Sequence, residues 1–79
     1  MRFKDAQTNR TFKAATKEEL VYELYATSWI GEKHGVELKD WLRLCSIRID
    51  EGYGIQIAYL DPIDFVDDLI LFNFIQEIN

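Results

Sequence analysis

Cys45 and His34 are the only thiol and the only imidazole in the chain. A Cys-His pair catalyses nucleophilic chemistry when the imidazole takes the thiol proton and a third group orients the ring. Cys45, however, falls on an apolar helical stripe, where a buried thiol behaves as a small hydrophobe with a raised pKa. His34 lies in a loop between Gly31 and Gly35 and reads as a surface residue. One Cys and one His also fall short of the ligands of a structural zinc site, and a lone Cys forms no internal disulfide. Four aspartates, Asp61, Asp64, Asp67 and Asp68, are the other cluster with chemical potential. Paired carboxylates can act as acid and base, or hold a divalent cation through oxygen. A magnesium site gathers acids from several elements around a concavity, whereas these four share one convex helix. No D-x-[DN]-x-[DN]-G loop occurs, so an EF-hand is excluded. Gly52-Tyr53-Gly54 lacks the third glycine of a dinucleotide fingerprint and follows a helix instead of a strand, so it reads as a turn. The expectation is a protein with no enzymatic role and no cofactor.

The elements that carry these residues follow from periodicity. Met1 to Asp5 alternates, as does Arg10 to Ala14, and the polar Ala6-Gln7-Thr8-Asn9 between them ends in an Asn suited to the left-handed region. A β-hairpin results, with Phe3 and Phe12 inward and Arg2, Lys4 and Lys13 outward. Thr16-Lys17-Glu18-Glu19 is a capping box. It starts a helix from about Lys17 to Ser28 that buries Leu20, Val21 and Leu24. Tyr22, Tyr25 and Trp29 form a second, wider stripe, with some of these rings at the core edge and others free for a partner. A second helix, from about Val36 to Asp50, carries Leu38, Trp41, Leu42, Cys45 and Ile49 on one side with Leu44 and Ile47 beside them, a broad apolar arc that predicts a central position. Glu51 to Gly54 ends it with a glycine cap. Ile55, Ile57 and Tyr59 alternate with Gln56 and Ala58, predicting a third strand beside the hairpin. Asp61-Pro62 then starts a third helix, with Asp as N-cap and Pro at N1, running to Leu71 or Phe72. Its buried stripe is Phe65, Val66, Leu69 and Phe72, and Asn73 is the stop. The tail from Phe74 to Ile78 either docks as a short C-terminal strand or stays loosely packed.

The fold class expected is therefore α+β in one domain, a sheet packed on three helices in the order β-β-α-α-β-α, with that tail strand left open. Seventy-nine residues, 48% of them apolar and 11 aromatic, are enough for one small core and no more. Charges interrupt every apolar run before the roughly 20 residues that span a bilayer. The start MRFKDAQTNR lacks the apolar region of a signal peptide, so a cytoplasmic location is expected.

Charge is distributed unevenly. The first 48 residues hold nine bases and seven acids, whereas residues 49–79 hold seven acids and no base. At a net charge of −5 the long-range field opposes approach to DNA, so direct nucleic-acid binding is not expected. An acidic surface for a basic protein is the sharper reading of the polarity, and a solvated helix face is the plainer one.

The stretches NRTFKAATKEELVYELYATSW and DPIDFVDDLILFNFI resemble small accessory proteins encoded by tailed phages and prophages. The likeness rests on Arg10 to Phe12, Thr16 to Leu24, Ser28 and Phe65 to Ile75, and the chain departs from it between Gly31 and Gly35. The resemblance implies a protein acting in the host cytoplasm by stoichiometric binding to a host protein with a basic surface. An anti-defence inhibitor whose acidic face mimics DNA is one such class. The partner-binding residues expected are Asp61, Asp64, Asp67, Asp68, Tyr22, Tyr25 and Trp29. The alternative is a structural homo-oligomer, a homodimer at its simplest, in which surplus aromatics form the subunit interface.

Overall fold

The computed structural model describes residues 1–28, 31 and 34–78; Trp29 lies outside them. Six elements follow in order: β1 (Arg2–Asp5), β2 (Thr11–Lys13), α1 (Lys17–Thr27), α2 (Leu38–Tyr53), α3 (Pro62–Leu71) and β3 (Ile75–Ile78). The class is α+β, with three helices and a three-stranded antiparallel sheet ordered β2-β1-β3.

Local chemistry sets most boundaries. Asn9 turns the hairpin at φ 60°, and β1 meets β2 with Arg2 opposite Lys13 and Phe3 opposite Phe12. The alternation therefore places both phenylalanines in the core and Arg2, Lys4 and Lys13 on the outer face. Thr16 Oγ1 accepts the Glu19 N–H at 3.1 Å and so satisfies one of the unpaired amides at the start of α1. Gly31 is buried after α1, and only glycine fits there, because a Cβ would lie 2.3 Å from the Tyr25 carbonyl oxygen. Gly54, at φ 68°, caps α2 with its N–H on the Asp50 carbonyl. Asn73, at φ 63°, stops α3 as its sequence position predicts.

The third strand is not where the alternation of Ile55 to Tyr59 places it. That segment belongs to no strand. The place beside β1 is taken by the tail, with Asp5 opposite Ile75 and Phe3 opposite Glu77. Helix side chains satisfy the backbone of the 55–59 segment instead: Ser46 Oγ donates to the Ile57 carbonyl at 3.1 Å, and the Ala58 N–H donates to Asp68 Oδ2 at 2.8 Å. Buried Ile57 thus packs without a strand partner, because the polar groups around it already have partners.

The core joins Phe3, Phe12, Leu20, Val21, Trp41, Leu42, Ile57, Phe65, Val66, Leu69 and Ile75. α1 and α3 pack closely on one another, and α2 stands farther out. The central position expected of α2 is thereby corrected: Leu44 and Ile47 on its broad apolar arc face solvent. Phe72 is corrected as well. It is the C-cap of α3 and is exposed, because the helix ends before the stripe reaches it; Phe74, beyond the Asn73 turn, is the ring packed on the core.

Candidate functional site

Three of the four aspartates hold the structure together. Asp61 Oδ1 accepts the Ile63 N–H at 2.8 Å and the Asp64 N–H at 3.3 Å, as an N-cap does. Asp68, half-buried, anchors Ala58. Asp67 is ion-paired with Lys17 of α1, and the Asp67 hydrogen bond and charge, with a smaller contribution from the Glu77 charge, raise the Lys17 pKa. Asp64 is exposed and has no side-chain partner among the described residues. At about 100° per residue, Asp64, Asp67 and Leu71 share the outward side of α3, Ile63 flanks them, and Asp68 leans toward the 55–59 segment.

Of the aromatic stripe expected on α1, Tyr22 is 51% exposed. Tyr25 turns inward. Its hydroxyl donates to the Val36 carbonyl, and its ring meets Trp41 edge-on at 5.5 Å. Burial pushes the Cys45 thiol up to about 11, against the pull of Arg48, so at neutral pH the group is a neutral thiol. Among the described residues no three His, Cys, Asp or Glu side chains gather in a way that could hold a metal ion. None of their helices is long and apolar enough to cross a membrane.

The surface around the aspartates carries apolar side chains that the periodicity argument did not single out. Leu60 is 90% exposed, Leu71 69% and Ile63 45%, with Tyr59 and Phe72 at either end. Leu60 stands immediately before the N-cap, where an apolar residue commonly packs back on the fourth helical residue, here Phe65. Phe65 is buried in the core and Leu60 points to solvent, so no such staple forms. A sequence signal existed: six of the ten residues of α3 are Ile, Leu, Val or Phe, more than one buried stripe takes up, so some must face outward.

Taken together, the fold and this surface define a small α+β domain with an apolar-acidic helical face. No protein-family model, curated protein or solved structure matches the chain.

Proposed function

We propose that the protein is a non-catalytic binding protein that captures a partner with a basic surface through the outward side of α3 and the residue that precedes it. The observation that carries this reading is Leu60, 90% exposed beside Asp61 and Asp64. Apolar side chains at a patch centre with charges around them are the usual anatomy of a protein interface. Ile63, Leu71 and Phe72 extend the apolar part. Asp61 and Asp68 accept backbone N–H groups; among the described residues Asp64 has no side-chain partner, and only Asp67 of the four is offset by a cation. A negative field of this kind steers a basic surface and raises its association rate.

The charges also weigh against the homodimer through this face. A two-fold interface sets the same patch against itself and would bring the aspartates of both copies together. The resemblance to small tailed-phage proteins makes the expected partner a host protein. An anti-defence inhibitor with carboxylates in place of DNA phosphates is the narrowest form of the same proposal.

The test is capture from host lysate by the tagged chain and by a Leu60→Ser/Asp64→Lys variant whose thermal unfolding is checked first. Both positions are exposed and hold no other group, so the fold should survive. Proteins retained by the wild type, lost by the variant, and released when salt shortens the Debye length from about 10 Å to about 3 Å are the expected result. Equal capture by both chains, or none above the tag alone, overturns the proposal.

A further inference from the structure

α2 does not close onto the sheet. Trp41, Cys45, Ile49 and Tyr53 recur every four residues along α2 and line one cleft, yet Cys45 and Ile49 are only half-buried. Facing them across a cleft of about 430 Å³ are Phe12 and Ile75 of the sheet, Leu24 of α1 and Leu69 of α3. That volume lies within the roughly 300–1,000 Å³ of small-molecule sites.

The cleft is braced at both ends. At one, Trp41 Nε1 donates to Ser28 Oγ at 3.0 Å, and the indole meets the Phe65 ring at 5.9 Å. At the other, Gln7 Nε2 donates to the Tyr53 hydroxyl, and the Tyr53 ring stands edge-on to Phe74 at 5.1 Å. These bridges fix how far α2 stands from the hairpin. Space beside a small core forfeits dispersion contacts, and a chain this short has little stability to spare. Packing therefore supplies no reason for the cleft, whereas an occupant would.

Its chemistry points to the kind of occupant. The floor is aromatic and aliphatic, and Asp5, Gln7, Thr8 and Arg10 form the polar rim. Asp5 Oδ1 already accepts the N–H groups of Gln7 at 2.8 Å and Thr8 at 3.3 Å. Arg10 rests its guanidinium 4.9 Å from the centre of the Phe12 ring and has no ion-pair partner among the described residues. Among the described residues it is the one cation of the cleft wall, and its planar fork suits a carboxylate. We propose that this cleft binds an amphipathic organic monoanion, a medium-length alkyl or aryl carboxylate whose apolar body lies along Trp41, Cys45 and Ile49 and whose head meets Arg10. Leu60 and Asp64 are not part of the cleft wall, so the site stands or falls independently of the α3 surface.

The test is calorimetric titration of the full chain with sodium octanoate and with octanamide, which keeps the tail and lacks the charge, alongside amide and indole chemical-shift mapping. Octanoate should saturate at one per chain and shift the Trp41 indole and the amides near Cys45 and Ile49. Octanamide should bind at least about tenfold more weakly, as expected when a charge-assisted hydrogen bond is missing. Arg10→Ala should weaken octanoate by a similar factor and leave octanamide unchanged. The proposal is overturned if octanoate shows no saturable binding, if the two ligands bind alike, or if Arg10→Ala leaves the difference between them intact.

Discussion

Asp64 and Asp68 are one helical turn apart, and the structure uses them in opposite ways. Asp68 accepts the Ala58 N–H, so removing it leaves a half-buried amide without its partner. Asp68→Ala is expected to cost about 1–3 kcal/mol. Asp64, exposed and unbonded, should change stability by no more than about 0.5 kcal/mol when replaced by Ala. Urea unfolding of the two variants reads the difference, and equal losses would show that the Ala58 bond does not anchor the 55–59 segment. Cys45 gives a pH dependence at the same scale. Burial favours its neutral form and raises the thiol from 9.0 to about 11, so on raising the pH the unfolded chain ionises first. The stabilisation is complete below pH 9 and is lost as pH rises through 11. The stability difference between wild type and Cys45→Ala, measured by denaturation from pH 7 to 11, should be flat at first and then shift against the wild type. No shift above pH 9 would mean that the thiol is not desolvated.

At the scale of elements, the sheet depends on its last strand. β1 pairs on one side with the three residues of β2 and on the other with β3. Without β3 a two-stranded hairpin remains, and isolated hairpins are marginal in water; the buried Ile75 would go with it. A chain ending at Phe74 is therefore expected to lose cooperative thermal unfolding by circular dichroism. A sharp transition in that truncation would show that the hairpin and helices suffice. The alternation of Ile55, Ile57 and Tyr59 carries a strand pattern as good as that of the tail. What separates the two segments is where their backbone groups find partners: Ser46 and Asp68 bond the first segment and leave β1 open to the second.

At the scale of the whole molecule, bases lie on the sheet and on α1 and α2, whereas α3 carries carboxylates and no base. Arg2, Lys4 and Lys13 share the outer sheet face, with Arg2 directly opposite Lys13, an arrangement that repels across the strands while the charges and the shortness of β2 discourage pairing with another sheet edge. Among the described residues Lys17 of α1 is the one cation paired with the carboxylates of α3. The salt-dependent capture expected of the α3 face follows from its summed charge, because screening acts on the whole field and not on one ion pair. Loss of capture through Leu60→Ser/Asp64→Lys with octanoate binding intact would separate the two proposed surfaces within one small body.

The sequence by itself determined what is settled within a few residues. It placed the Thr16 and Asp61-Pro62 caps, the left-handed turn at Asn9, the stop at Asn73, a glycine cap within Glu51 to Gly54, and the inward pairing of Phe3 with Phe12. Each depends on neighbours close along the chain or on a two-residue period, so local chemistry is enough. The charge polarity was equally legible, since it is a matter of counting. Only the tertiary structure decided which apolar segment joined the sheet, that Asp68 holds an amide and Asp67 a lysine, that Leu60 is left outside, and that α2 stops short of the hairpin. These outcomes join residues as far apart as Lys17 and Asp67, or Gln7 and Tyr53, and each excludes a competing contact of similar local merit. Periodicity assigns a residue to a face; the closure of the whole chain selects its partner.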